Sequence, residues 1–478
     1  MTLGTSFIGG VKWTSLSMVS VTVFHLLTLV VLARLLSPED FGLMAILMIV
    51  VGFAQAFMDM GISNAIIQRQ DVTPSQLSSL YWLNVMAGVI LSITVFLLAP
   101  FIAGFYERLE MAPMVRLLSL VFVVISLGHQ YRILCQKDLQ FRRLALIEMS
   151  AAFCAFIVAV YSALQGFGVY ALIYGMMTQA IVNSALFLIT GLRYHQRPTL
   201  QYKHSELKGF FSFGLYQMGE KSINYLSANA DNILIGKFLG MEALGFYNLA
   251  WQLCIFPVQK ITPVINKVAF PVYAQLQNQR NALGHYYAQS MHAVLLICVP
   301  LLVFLFYFCS DIVAIMYGDG WEKTATLASI LVFAGLTKIS INPGASLVLA
   351  LGRADVGFWW NLVWLIIFSA SIIITLSIWP EIDVIALLLA GLSLLFAIIW
   401  HVIVIHLTKL PYKAVLVSTF KINALVFVLG GIAFCFSNLA GFDIPLARVS
   451  LGGALCLILY LPYLFYFERN LVKFFQEN

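Results

Sequence analysis

The feature that most constrains this chain is a succession of apolar stretches, each about twenty residues or longer, joined by short polar connections. A helix needs about 20 largely apolar residues to cross the hydrocarbon core of a bilayer. Lipid offers the backbone no hydrogen-bond partners, so only helices and closed barrels cross it, and the stretches lack the two-residue alternation of barrel strands. We therefore predict an all-α polytopic membrane protein. About fourteen transmembrane helices are expected, at 11–34, 42–67, 78–101, 114–134, 144–164, 169–191, 209–236, 243–268, 285–308, 324–350, 357–379, 384–407, 416–438 and 447–467.

Composition excludes a water-soluble fold of this size. The 478 residues are 61% hydrophobic and only 10% charged, whereas a soluble domain has about 25% charged residues. The seven cysteines are scattered through apolar stretches without a CxxC pair, which favours small buried side chains over disulfides or metal ligands. We expect no metal site and no bound cofactor.

Lysine and arginine orient the helices, because these residues accumulate in the cytoplasmic loops of membrane proteins. With a cytoplasmic N-terminus, fifteen of the 27 Lys and Arg residues fall in inside segments and five fall in outside segments. The outside five are Arg34, Arg108, Lys237, Lys323 and Arg448. We therefore predict that both termini are cytoplasmic. The formal net charge of +6 then reflects topology and does not indicate nucleic-acid binding.

Two pairs of matching loops indicate an internal repeat. "ARLLSPEDFGLMAI" at 33–46 aligns with "GKFLGMEALGFYNL" at 236–249, and Gly42 then matches Gly245 at an offset of 203 residues. "APFIAGFY" at 99–106 aligns with "SDIVAIMY" at 310–317 at an offset of 211. Six spans separate the copies, so both halves have the same orientation, which is a parallel repeat about an axis along the membrane normal.

The repeat predicts how the chain is divided. Residues 1–192 form a first lobe with spans one to six, and 193–208 form a cytoplasmic connection. Residues 209–408 form a second lobe with spans seven to twelve, and 409–478 add two helices and a short cytoplasmic tail. The two lobes are expected to be pseudo-symmetric, and a cleft between such lobes is the usual place for an alternating-access site.

Four motifs resemble those of a known family. They are "ARLLSPEDFGLMA", "KDLQFRRLA" at 137–145, "QGFGVYALIYG" at 165–175 and "YGDGWEKTATLASIL" at 317–331. In this order they resemble the polysaccharide exporters of the MOP flippase superfamily, in particular the bacterial branch that includes the colanic acid exporter and related lipopolysaccharide-biosynthesis flippases. The resemblance covers nearly the whole chain.

The resemblance implies a fold and a function. The fold would be V-shaped and two-lobed, and the protein would be a multi-pass transporter of the bacterial inner membrane, not an enzyme. Its substrate would be an undecaprenyl-pyrophosphate-linked oligosaccharide that is moved from the inner to the outer leaflet. An ion gradient of H⁺ or Na⁺ would supply the energy. Membrane lipids, a polysaccharide polymerase and assembly proteins are the other expected partners, and no nucleic acid is expected.

Span seven carries the longest polar face. Polar residues follow one another at spacings of four, three and seven residues, which places them on one face of a helix. They are Gln217, Lys221, Asn224 and Asp231, and Glu220 lies beside them. An ionisable group inside a span usually faces a cavity or a partner. We interpret this face as a cavity wall in which Lys221 meets anionic or sugar groups, and Glu220 or Asp231 takes a coupling ion. The alternative is that neighbouring helices neutralise Glu220 and Lys221, which then only hold the bundle together.

Cations in other spans extend the candidate site. Lys260 and Lys267 share one face of span eight, whose prolines favour kinks, and both lie toward the cytoplasm, where a pyrophosphate would arrive. Lys267 is equally well explained as an interfacial lysine. Lys338 lies near the middle of span ten and is assigned to the cavity. Arg132 ends span four, where phosphate contact and snorkelling are both open. Asp59 of span two is a candidate ion-coupling site or a partner of Lys260 or Arg132.

Two other functions are weighed against the flippase. A multidrug or cation exporter of the same superfamily should favour carboxylates in its cavity and commonly has twelve spans. A membrane polymerase or ligase needs an active site, but the chain has no sizeable soluble segment and no Walker-A, HExxH or GxSxG motif. A purely structural scaffold would not need Lys, Glu and Asp within its spans.

Overall fold

The computed structural model describes residues 3–58, 66, 72–194, 197–199, 212–408 and 412–467. Within these residues it contains fourteen long helices and no strand. The predicted all-α fold class is confirmed, and each predicted span overlaps one helix. The helices are α1 (Leu3–Ala33), α2 (Pro38–Met58), α3 (Pro74–Phe105), α4 (Met111–Lys137), α5 (Phe141–Leu164), α6 (Val169–Tyr194), α7 (Ser212–Phe238), α8 (Gly240–Gln275), α9 (Arg280–Tyr317), α10 (Glu322–Ala350), α11 (Ala354–Ile378), α12 (Ile382–Thr408), α13 (Tyr412–Leu439) and α14 (Pro445–Phe467).

Twelve of these fourteen helices are long and apolar enough to cross a membrane by length and composition. Of the other two, α8 is too polar by the same criterion, and α7 is described with its side chains only from Ser222 onward. Both nevertheless have the length of a span, at 27 and 36 residues. The sequence predicts the main polar face in α7 and the paired lysines in α8.

Helix starts follow from local capping sequences. The Ser37 hydroxyl accepts a hydrogen bond from the Asp40 N–H at 3.3 Å, and the Asp40 carboxylate accepts one from the Ser37 N–H at 3.0 Å. Thr73 and Gln76 make the same reciprocal pair at the start of α3, at 3.3 and 3.0 Å. A proline follows each capping residue, where its missing N–H has no helical partner to lose. These short motifs fix where α2 and α3 begin.

The chain divides into two compact units, Met1–Gly245 and Phe246–Asn478. In the first unit α3 packs on α4, α4 on α6, α5 on α6 and α4 on α5. In the second unit the helices six places later pair in the same way: α9 on α10, α10 on α12, α11 on α12 and α10 on α11. Four helix pairings of the first unit thus recur six places later in the second unit.

The two additional helices pack on α9 of the second unit. The Tyr307 hydroxyl donates to the Phe427 carbonyl of α13 at 3.1 Å, and the Tyr460 hydroxyl of α14 donates to the Leu296 carbonyl at 2.7 Å. Arg448 at the start of α14 forms an ion pair of 2.6 Å with Asp311 of α9. Tyrosine hydroxyls and an ion pair thus fix α13 and α14 onto a helix that belongs to the repeat.

The repeated loop brings two glycines into reciprocal backbone contact. A Cβ atom on Gly42 would collide with the carbonyl oxygen of Met241, and a Cβ atom on Gly245 would collide with the carbonyl oxygen of Pro38. Each glycine thus contacts the residue four positions before the other, as an approximate two-fold relation requires. The first turns of α2 and α8 can approach this closely only because neither glycine carries a side chain.

We expect Gly42→Ala and Gly245→Ala each to destabilise the protein by about 1–3 kcal/mol, because the added methyl group must displace backbone. The readout is the Tm of the purified full chain in detergent. The matched control is Gly104→Ala near the end of α3, where an added Cβ meets nothing within 4 Å. Alanine favours a helix over glycine by about 1 kcal/mol, so the control should be neutral or stabilising. A wild-type Tm for Gly42→Ala would contradict the role of this crossing.

Candidate functional site

Helix α7 separates the predicted polar residues by environment. The side chains of Gln217, Glu220 and Lys221 lie outside the described residues, so their roles remain predictions. Asn224 is exposed, whereas Asp231 is only 5% exposed. The Asp231 carboxylate accepts a hydrogen bond from the following backbone N–H at 2.8 Å. Of the described members of the face, Asn224 is open to a ligand and Asp231 lies in the packed interior.

Helix α7 lies in the first unit because it packs on α2. The Tyr225 hydroxyl donates to the Met48 carbonyl at 3.2 Å, and the Tyr225 ring fills the space that a side chain at position 52 would occupy. Position 52 is glycine, which leaves room for the ring. This contact orients α7, and it fixes which of its sides is buried against α2.

Helix α8 presents two lysines at its surface. Lys260 and Lys267 are both exposed, seven residues apart and hence on one face. The prolines predict kinks, but α8 is one continuous helix from Gly240 to Gln275 with Pro257, Pro263 and Pro271 inside it. Lys260 is twenty residues from the start of α8, about 30 Å along the axis, and Lys267 is about 40 Å along it. Under the predicted orientation, Lys260 therefore lies closer to the middle of the membrane than Lys267 does.

Lys338 of α10 is half-buried in the second unit. Its ammonium group lies 4.7 Å from the centre of the Trp251 ring of α8, which is a cation–π contact. One turn later the Asn342 amide donates to the Lys338 carbonyl at 3.3 Å, just before Pro343. The structure thus couples Lys338 to α8, and Trp251 is a functional candidate that sequence reasoning missed.

Arg132 forms a polar cluster with two residues from other helices. Its guanidinium lies 3.0 Å from the Glu148 carboxylate of α5, and the Ser17 hydroxyl of α1 donates to the other Glu148 oxygen at 3.0 Å. Sequence reasoning missed Glu148. Its position inside a predicted span could have identified it, because an ionisable residue there usually faces a cavity or a partner. Asp59, the partner that the sequence suggests for Arg132, lies outside the described residues.

Cations on the predicted outside face are paired with carboxylates. Four of the five lie within ion-pair distance of an acid in their own unit. The pairs are Arg108–Glu39 at 2.9 Å, Lys237–Glu107 at 2.6 Å, Lys323–Asp383 at 2.5 Å and Arg448–Asp311 at 2.6 Å. The hydrogen bond and charge of Lys237 lower the pKa of the Glu107 carboxyl. That contact is therefore present at neutral pH and is lost as the pH falls through the lowered pKa.

No group of three or more His, Cys, Asp or Glu side chains suited to a metal ion occurs among the described residues. The structure instead brings together pairs of groups: Arg132 with Glu148 in the first unit and Lys338 with Trp251 in the second. It leaves Lys260 and Lys267 exposed on α8. Chemically this arrangement can bind anionic or polar groups through ammonium and amide donors.

Comparisons with known proteins agree on a family and a fold. A family model described as "Polysaccharide biosynthesis protein" matches residues 31–326. The teichuronic acid biosynthesis protein TuaB of Bacillus subtilis (strain 168) is 32% identical over 461 residues, which are 95% of this chain and 94% of that protein. The lipopolysaccharide biosynthesis protein WzxC of Escherichia coli (strain K12) is 32% identical over 374 residues, which cover 78% and 76%.

Among solved structures, the lipid II flippase MurJ in an inward closed conformation aligns with a TM-score of 0.73. The alignment covers 97% of this chain and all of MurJ, at 15% sequence identity. Similarity at this level of identity shows a shared fold. The chain is therefore a multi-pass helical membrane protein that shares its fold with MurJ.

We expect Arg132 and Glu148 to be energetically coupled. In a double-mutant cycle of Arg132→Gln and Glu148→Gln, the double variant should be less destabilised than the sum of the single variants by up to about 1 kcal/mol, because the pair is partly exposed and screened. The measurement is the free energy of unfolding in denaturant. Ser17→Ala should weaken the coupling, since it removes the second bond to Glu148. Strictly additive single variants would show that the pair does not form.

Proposed function

Because this chain belongs to the polysaccharide biosynthesis protein family, we propose that it is a flippase for an oligosaccharide carried on undecaprenyl pyrophosphate. The oligosaccharide would move from the inner to the outer leaflet of the bacterial inner membrane. The full-length relationship to TuaB and the fold shared with the lipid II flippase MurJ support this proposal. We infer a transporter, not an enzyme, with both termini in the cytoplasm.

The observation that carries the proposal is the exposed Lys260 residue on α8, whose ammonium group lies 5.8 Å from the centre of the Phe256 ring. A lysine about 30 Å from the outer end of a helix lies in the cytoplasmic part of the bilayer under the predicted orientation. A charge that deep is costly unless water or a counter-charge meets it. The pyrophosphate of a lipid-linked sugar entering from the inner leaflet supplies such a counter-charge.

The proposed cycle is alternating access. The pyrophosphate and its glycan leave the inner leaflet and meet Lys260, with Lys221 and Lys338 further along the path. Asn224, exposed on α7, offers an amide for sugar hydroxyls. The polyprenyl tail remains in lipid. Release on the outer side completes the transfer, after which the protein returns to the conformation that is open to the cytoplasm.

We propose that an H⁺ or Na⁺ gradient drives this cycle. Moving one elementary charge through the membrane potential supplies about 2.3 kcal/mol per 100 mV. Asp59, Glu220 and Asp231 are the proposed coupling sites, and Asp231 is buried as such a site requires. Membrane lipids surround the protein, and a polysaccharide polymerase would receive the exported unit.

We expect deletion of the gene for this chain to abolish surface polysaccharide and to accumulate the lipid-linked unit on the cytoplasmic leaflet. The measurement combines extraction of lipid-linked oligosaccharides with quantification of surface polymer, and a plasmid copy of the full chain is the control. Unchanged polymer together with new sensitivity to cationic dyes would overturn the proposal in favour of a drug exporter.

We expect Lys260→Ala, and likewise Lys221→Ala, to abolish complementation of that deletion while the protein inserts at normal levels. The reason is that the pyrophosphate loses its counter-charge at membrane depth. The readout is surface polymer normalised to membrane protein. Lys260→Arg keeps the charge and should retain export.

The matched control for Lys260→Ala is Lys421→Ala, which removes an exposed lysine from α13, one of the two additional helices. This variant should export as the wild type does. If Lys260→Ala and Lys221→Ala both export normally, the model of cations along the path is wrong.

A further inference from the structure

A cavity in the first unit lies at the end of the bundle that the charge distribution predicts to be cytoplasmic. It has a volume of about 610 Å³ and is bounded by the first turn of α3, the last turns of α4 and α6, and the segment 197–199. Ser78, Gln130, Lys137, Asp138, Arg193 and Arg197 contribute polar side chains to its lining. We refer to these six residues and the space they line as the inner basic pocket. None of them belongs to the candidate site above.

Hydrogen bonds between distant parts of the chain build the walls of this pocket. The Trp82 indole donates to the Thr199 carbonyl at 2.8 Å, and the Thr199 N–H donates to the Ser78 hydroxyl at 3.1 Å. These two bonds hold the segment that carries Arg197 against α3. The Gln130 amide donates to the Leu77 carbonyl at 2.9 Å and ties α4 to α3 at the base of the pocket.

The pocket carries a net positive charge. Lys137, Arg193 and Arg197 bring three positive charges and Asp138 one negative charge, so 3 − 1 leaves +2. Arg143 lies close by, with its guanidinium 3.8 Å from the centre of the Tyr194 ring, and adds to the local field. Arginine presents a planar fork of N–H donors that matches phosphate oxygens, and the pocket holds two such forks.

We propose that the inner basic pocket binds the phosphate group of an anionic lipid headgroup. Its volume lies within the roughly 300–1,000 Å³ range of small-molecule sites. Basic pockets between transmembrane helices on the cytoplasmic side are suited to lipid phosphates. Ser78 and Gln130 add neutral polar groups to the lining, but the Ser78 hydroxyl already donates to the Pro74 carbonyl and the Gln130 amide to the Leu77 carbonyl. The arginines therefore carry the recognition of phosphate.

The same phosphate chemistry has two sources in the inner leaflet. One is an acidic phospholipid, which would hold the first unit at a defined depth. The other is the pyrophosphate of the polyprenyl-linked substrate before it enters the path, a reading that rests on the function proposed above. Both sources place a phosphate between Arg193 and Arg197, so one set of variants tests the pocket and the choice of lipid distinguishes the sources.

The test measures lipid binding to the purified full chain by native mass spectrometry. Phosphatidylglycerol and undecaprenyl pyrophosphate are the probes, and phosphatidylcholine is the uncharged reference. We expect the double variant R193Q/R197Q to bind the favoured anionic probe roughly thirtyfold more weakly, since each basic residue near a membrane surface strengthens such binding about fivefold. The single variants R193Q and R197Q should each lose about fivefold and serve if the double variant does not fold.

The matched control is Arg280→Gln, which removes an exposed arginine at the start of α9, on the same predicted side of the membrane and outside the pocket. This control should bind both anionic probes as the wild type does. Equal binding by wild type, double variant and control would overturn the proposal. So would a wild type that binds neither anionic probe better than phosphatidylcholine.

The preferred probe identifies the source. Tighter binding of phosphatidylglycerol, with normal polymer export by R193Q/R197Q, assigns the pocket to membrane phospholipid. Tighter binding of undecaprenyl pyrophosphate, with reduced export, assigns it to the substrate. If the chain binds headgroups through this pocket but exports no oligosaccharide, the proposed function is refuted and the proposed lipid site is not.

Discussion

The cost of placing a charge in hydrocarbon determines where this chain puts its polar groups. A single Lys, Arg or Asp at the centre of a helix costs about 2.5–3.5 kcal/mol on insertion. Arg132 is accordingly met by Glu148, and Lys338 by the face of Trp251. The cations on the predicted outside face are likewise paired with carboxylates, so the positive charge that remains is concentrated at the predicted cytoplasmic end. Lys260 is exposed on α8, and its ammonium group lies 5.8 Å from the centre of the Phe256 ring, so an aromatic face meets this cation as well.

The internal repeat has a structural consequence that its sequence alone does not state. Alignment of the two loops places Gly42 over Gly245, and this match is consistent with mere ancestry. The structure shows that the same two glycines contact each other's helix, each against the residue four positions before the other. A parallel repeat thus generates a reciprocal contact at the outer ends of α2 and α8.

Sequence patterns predict the helices well and the contacts between them poorly. Every predicted span overlaps a helix, because length and hydropathy are local properties. The Tyr225 ring of α7 fits over Gly52 of α2, and no local pattern in either stretch predicts that fit. The ion pair of Arg132 with Glu148 depends in the same way on how α4 packs against α5. Patterns can list intramembrane charges, but only packing assigns their partners.

Helices α7 and α8 are held in place at the ends where they adjoin. Their adjoining ends lie on the predicted outside face, where the Gly42–Gly245 crossing and the Lys237–Glu107 ion pair fix them. The candidate cation of α8, Lys260, lies about 30 Å from that end. Contacts at one end of a helix can set its position. A charged side chain farther along the helix then does not have to form a structural contact. Close packing at two glycines and a surface ion pair thus hold α7 and α8 where their ends adjoin.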